Sequence, residues 1–145
     1  MRVAVDVLVV DRSERDARTT LSGIRSASET ATVLRLKTVD ETLDFVHRRG
    51  KYADRTPRPP RIVLLEIELG NDSGLALLDR LQADAETRGI PVVILTGNTS
   101  SHWMDDALVR GAQAYVVKPL NKAEYMSKVA DLMQRWVNSH HEVAG

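Results

Sequence analysis

Five short apolar runs alternate with five helix-like stretches along this chain, and that alternation limits the fold more than any other feature. The runs are Val5 to Val10, "TVLRLKT", Ile62 to Ile67, "PVVILT" and "AYVVKP". Each is short and rich in β-branched residues. The first, third and fourth are almost continuously apolar, as in strands covered on both faces. The first helix is expected over Ser13 to Ala27, with Ala17, Leu21 and Ile24 at helical spacing and Glu14 and Asp16 suited to the dipole of its first turn. "DETLDFVHRRG" forms the second, with Gly50 as its stop, and Leu75 to about Thr87 the third. The fourth is "SSHWMDDALVRG", which Ser100 or Ser101 can cap and Gly111 ends, and the last runs from Lys122 to Asn138. Strict alternation implies right-handed crossovers and a doubly wound α/β fold, a parallel sheet with helices on both faces.

At 145 residues the chain fits one domain, 1–145, with its core at about 5–138 and 139–145 expected as a tail. A domain of this size buries roughly 70% of the surface its unfolded chain exposes, enough for a real core. Lys plus Arg equals Asp plus Glu, 20 each, which gives no basic footprint for nucleic acid. The absence of cysteine excludes disulfides and thiolate metal sites and fits a reducing compartment. No run approaches the ~20 apolar residues of a membrane span. "MRVAVDVLVVD" carries Asp6 within its apolar segment and lacks a small-residue cleavage site, so it does not read as a signal peptide. A cytoplasmic protein is the expectation.

In a doubly wound sheet, ligands bind outside the carboxyl ends of the strands, at the switch point of the strand order. Those ends carry Asp11 and Arg12 after strand one, Glu66 after strand three, Thr96 after strand four and Lys118 after strand five. Glu66 ends a run that otherwise reads as buried, and a buried carboxylate needs compensation. Four ionisable groups and a threonine converging on one sheet edge point to a site rather than to chance strand ends.

These residues resemble those of a response-regulator receiver domain, and the resemblance covers nearly the whole chain. It implies a flavodoxin-like (βα)5 fold with strand order 2-1-3-4-5. In that family an acidic pair after strand one and an aspartate after strand three hold Mg²⁺, and that aspartate takes a phosphoryl group from a histidine kinase. Thr96, Tyr115 and Lys118-Pro119 match the family's switch and phosphate pocket. The loop "GKYADRTPRPPRIVLLEIEL" and the terminal "RWVNSHH" resemble, more narrowly, the stand-alone receivers that partner bacterial phytochromes. Glu68 corresponds to a position whose backbone carbonyl joins the metal.

Two positions depart from the pattern: Arg12 replaces the second acid, and Glu66 replaces the phosphoacceptor aspartate. Arginine stays protonated at any relevant pH, and Asp11, Arg12, Glu66 and Lys118 sum to zero charge, so Mg²⁺ binding is expected to be weak or absent. Glutamate moves its carboxylate by up to roughly 1.5 Å, and misplacements of that order can cost about 10²-fold in rate. The expectation is an atypical, phosphorylation-independent receiver, neither enzyme nor cofactor protein. Its switch would be replaced by ion pairs: Glu66 with Lys118, and Arg12 with Asp11 or Glu66. The alternative is a working receiver with a non-standard acceptor, for which Asp72 is the weaker candidate. A flavin-binding protein is disfavoured, because "DRSERD" is too charged for a phosphate-cradling loop.

No further module is expected after the last helix, so output is expected through contact. That helix carries Met126, Val129, Met133 and Val137 on one stripe, with Tyr125, Leu132 and Trp136 beside it. A second apolar surface suggests an interface, and Trp103 on the fourth helix lies on the same side. A homodimer through the strand-four to helix-five face is expected, together with a sensor histidine kinase partner, by resemblance a bacteriophytochrome. His47 and His102 read as surface residues, and His140-His141 as part of the tail. No metal is assigned to them.

Overall fold

The computed structural model describes residues 4–138. The expected tail at 139–145, with His140 and His141, lies outside the described residues. Seven strands and five α-helices follow in the order β1 (Val7–Val10), α1 (Glu14–Ala27), β2 (Val33–Leu36), α2 (Val39–Val46), β3 (Ile62–Leu65), β4 (Glu68–Leu69), β5 (Asp72–Ser73), α3 (Gly74–Ala83), β6 (Val92–Thr96), α4 (Ser101–Val109), β7 (Ala114–Val117) and α5 (Lys122–Met133). The main sheet is parallel, in the order β2-β1-β3-β6-β7. With the β4-β5 hairpin set aside, this is the 2-1-3-4-5 order of a flavodoxin-like fold.

The alternation of side chains along each central strand builds two cores. Leu8, Val10, Val63, Leu65, Val92 and Ile94 face the apolar surfaces of α2 and α3, where Phe45, Leu77 and Leu81 are buried. Val7, Val9, Ile62, Leu64, Val93 and Leu95 face α1 and α5, where Ile24, Val129 and Met133 are buried. Helices cover both faces, which is why the central strands carry no polar alternation.

Helix starts follow local chemistry. Ser13, Thr38, Ser73 and Asn121 each accept a first-turn backbone N–H through the side chain. Helix ends depart from expectation. The second helix stops at His47, three residues before Gly50, because Arg48 takes a left-handed conformation at φ 55°. The third stops at Asp84 rather than near Thr87: Asp84 is extended, and the Thr87 hydroxyl turns back to donate to the Leu81 carbonyl. At α4, Ser100 holds the cap position but contributes no side-chain hydrogen bond. The last helix continues past α5 as one π-helical turn, Gln134–Asn138.

Candidate functional site

The parallel register sets Val10 beside Leu65, so the next residues, Asp11 and Glu66, emerge together at the carboxyl edge of the sheet. Lys118 follows the last residue of β7, and α1 begins at the same edge with Asp16 in its first turn. The Lys118 Nζ donates to Asp11 Oδ2, Asp16 Oδ2 and Glu66 Oε1, each at 2.8 Å. All three protons of the ammonium therefore have carboxylate acceptors. The side chains of Lys118, Asp11 and Glu66 are 7%, 6% and 10% exposed, so these are buried ion pairs rather than screened surface ones.

The remaining oxygens are also engaged. Asp11 Oδ1 accepts the Ser13 N–H at 2.9 Å, and Glu66 Oε2 accepts the Glu68 N–H at 3.2 Å. Burial alone would lower the Lys118 pKa, but its hydrogen bonds to Asp11, Asp16 and Glu66 outweigh that and hold the ammonium above its usual range. Burial pushes the Asp11 carboxyl up, and the Lys118 hydrogen bond and charge offset this only in part. The cluster thus keeps its cation firmly, and Asp11 bears the desolvation.

Several expectations need correcting. The Glu66–Lys118 pair forms, but Arg12 is exposed and pairs with neither Asp11 nor Glu66 among the described residues. Its guanidinium lies over Gly70, where an added Cβ would stand 2.0 Å from the Arg12 Nη1, and Gly70 itself sits at φ 71°. Asp16, read from sequence as a dipole residue, instead takes the third hydrogen bond of Lys118. With Asp16 counted beside Asp11, Arg12, Glu66 and Lys118, the formal sum is −1 rather than zero. Neutrality therefore does not keep magnesium out, and the geometry of the donors decides.

The switch residues occupy the expected edge. Thr96 ends β6, fully buried; its carbonyl accepts the Lys118 N–H at 2.7 Å and its hydroxyl accepts the Asn98 N–H at 3.3 Å. Glu66, however, turns to Lys118 and the Glu68 N–H rather than to Thr96. Tyr115 is half-buried and donates its hydroxyl to the Asn98 carbonyl at 2.9 Å. Burial, then Glu66 and Glu68, push its phenol pKa up. Glu68 is exposed and accepts from Asn98 Nδ2 at 3.2 Å, and Pro119 is half-buried behind Lys118. A cleft of about 660 Å³ opens beside this cluster, lined in part by Arg12, Glu66, Glu68, Asp72, Asn98 and Trp103. Asn98 carried no sequence signal beyond its place in the loop after strand four.

The interface candidates divide. Trp103 is 36% exposed, on a helix whose Met104 and Leu108 are also exposed. Tyr125, Leu132 and Trp136 are buried, so among the described residues they form no second apolar surface on the last helix. The helix meets the sheet on one side and α1 on the other: Tyr125 Oη lies 2.8 Å from Thr20 Oγ1, and burial pushes its phenol up to about 12.

The donor set does not fit magnesium well. Arg12 stands where the resembled family has its second acid, and both oxygens of Asp11 and of Glu66 already accept hydrogen bonds, one each from an ammonium. Among the described residues, His47, Asp84 and Glu86 bring ligand atoms within 4.8 Å of one another, but Arg49, Arg80 and Arg88 line the same hollow and oppose a cation.

Comparisons with known proteins agree with this architecture. The chain is similar to the response regulator Rcp1 of Synechocystis sp., at 24% identity over 92% of this chain and 89% of that protein. It spans only about a third to a half of the length of several other curated relatives. One of these is the phosphate regulon transcriptional regulatory protein PhoB of Klebsiella pneumoniae, 34% identical over 52% of this chain and 33% of that protein. Among solved structures it resembles response regulator RPA3017 in red light signaling of R. palustris, with a TM-score of 0.84 and 28% identity over 94% of this chain and 96% of that one. No helix among the described residues is long and apolar enough to cross a membrane. The family model for the response regulator receiver domain matches residues 7–130, and the chain belongs to that family.

Proposed function

We propose that this receiver works without phosphorylation and acts in two-component signalling by binding other proteins. The observation that supports the reading best is the Lys118 ammonium, hydrogen-bonded at 2.8 Å to each of Asp11, Asp16 and Glu66. Lys118 is shared with the family, but here both oxygens of Asp11 and of Glu66 already accept hydrogen bonds and Arg12 stands in place of the second acid, which leaves a divalent ion few ligands beside Glu66. The longer side chain of Glu66 displaces the attacking oxygen as well, and geometry of that order is worth about 10² in rate. Mg²⁺ binding is therefore weak or absent, and the protein is a cytoplasmic signalling module rather than an enzyme.

The partner is a sensor histidine kinase, and likeness to a regulator of red light signaling favours a bacteriophytochrome. A second copy of the chain binds through α4 and the β7 edge, where Trp103, Met104, Leu108, Val117 and Leu120 are exposed beside a strand with one free side. The second reading, phosphoryl transfer to a non-standard acceptor, draws on the open cleft beside Glu66 and on Asp72 in its wall.

Calorimetric titration with Mg²⁺ tests the proposal, with an Arg12→Asp, Glu66→Asp double variant as the restored comparison. The natural protein is expected to show no saturable binding in the millimolar range, and the variant to bind. Equal affinity in both would overturn the reading.

A further inference from the structure

We propose that Glu68 and Asn98 form a constitutive latch that holds the loop entering α4, and with it Tyr115, in one arrangement without any phosphoryl group. The inference rests on the phosphorylation-independent reading above. Four hydrogen bonds converge on Asn98. Its Nδ2 donates to Glu68 Oε1 at 3.2 Å, and its Oδ1 accepts the Ser100 N–H at 2.9 Å. Its carbonyl accepts the Tyr115 hydroxyl at 2.9 Å, and its N–H donates to Thr96 Oγ1 at 3.3 Å. Glu68 in turn donates its N–H to Glu66 Oε2. A continuous chain of hydrogen bonds thus runs from the Lys118 cluster, through Glu66 and Glu68, to the first residues of α4 and to β7.

The latch matters because α4 has little else to hold its amino end. Ala107 is its one buried residue, and Ser100 supplies no side-chain cap. Its carboxyl end is tied independently, by Arg110 to Asp79 of α3 at 2.6 Å. Loss of the Glu68 contact should therefore loosen the amino half of the helix and leave the other half in place.

Hydrogen-exchange mass spectrometry on the full chain tests this with Glu68→Ala, Glu68→Gln, Asn98→Ala and the Ala double variant. Segments of β1 and β3 serve as internal references. Glu68→Ala is expected to raise exchange over residues 98–104 by about fivefold to tenfold, since one net hydrogen bond is lost, and Asn98→Ala by more, since it also removes the acceptor of the Ser100 N–H. The double variant should add little to Asn98→Ala, because that substitution already removes the link to Glu68. Glu68→Gln should stay near the natural protein, because its amide oxygen can still accept from Asn98. Unchanged exchange in Glu68→Ala, or Glu68→Gln as fast as Glu68→Ala, would overturn the latch. The natural protein is also weighed after incubation with Mg²⁺ and acetyl phosphate. A phosphoryl adduct there would overturn the phosphorylation-independent reading, separately from the exchange result.

Discussion

Lys118→Met removes the central cation while keeping most of the side-chain volume, and it leaves Asp11, Asp16 and Glu66 facing one another without the lysine's charge. Breaking a buried ion pair from one side costs about 3–5 kcal/mol, because the surviving charge stays desolvated. Three carboxylates lose their partner here, but Asp16 is 25% exposed and can rehydrate, so the expected loss at pH 7 stays at about 3–5 kcal/mol. For a domain of this size that is a fall in Tm of about 10–20 °C. The pH dependence gives a sharper test. Burial already pushes the Asp11 carboxyl up, and without Lys118 nothing comparable holds it down. A group whose folded pKa is raised contributes stability that is complete below its unfolded pKa, about 3.9 for aspartate, and is lost as pH rises through the folded value. The variant's deficit should therefore shrink on going from pH 7 to pH 5, as cluster carboxyls take up protons. Urea unfolding followed by circular dichroism at both pH values measures this. A loss below about 1 kcal/mol at pH 7, or a deficit that does not shrink at pH 5, would refute the account of a tightly coupled buried cluster.

Other perturbations probe the frame around the site. Gly23→Ala places a Cβ 2.7 Å from the Val129 Cβ and 2.9 Å from the Met126 carbonyl oxygen, so α1 and α5 must part. A net loss of about 1–2 kcal/mol is expected in urea unfolding despite the gain in helix propensity. Arg55→Ala strips donors from the Phe45, Val46 and Thr56 carbonyls and a cation from 4.3 Å above the Phe45 ring. This should cost about 2–3 kcal/mol and speed proteolysis of the loop before β3. Leu108→Glu on the exposed face of α4 should convert a dimer to a monomer in sedimentation while leaving the unfolding transition in place; a monomeric natural protein would remove that part of the proposal.

The frame of the molecule was legible because its signals are local and repeated. Short β-branched runs fix the strands, and residues such as Ser13, Thr38 and Asn121 fix helix starts. The site was legible at positions carried by strand ends, since Asp11, Glu66 and Lys118 reach one edge whenever the sheet forms. What escaped depends on where helices and loops meet that edge. Asp16 looked like an ordinary first-turn acid, and only the packing of α1 over the sheet brings it to Lys118. Arg12 is adjacent to Asp11 in sequence, yet the turn at Gly70 gives its side chain a different berth. Asn98 gains its four partners from three separate segments. The apolar breadth of the last helix read as a second surface because sequence does not reveal that the helix packs against α1 as well as the sheet. At Arg48, a non-glycine residue in the left-handed region ended a helix that pattern alone would have extended to Gly50.

Intact-mass analysis after incubation with Mg²⁺ and acetyl phosphate distinguishes a phosphorylation-independent receiver from a working one, with Arg12→Asp, Glu66→Asp treated alongside. The natural protein is expected to keep its mass and the double variant to gain one phosphoryl group. A phosphoryl group on the natural chain would contradict phosphorylation independence, and mapping that group to Glu66 or Asp72 would establish the alternative reading.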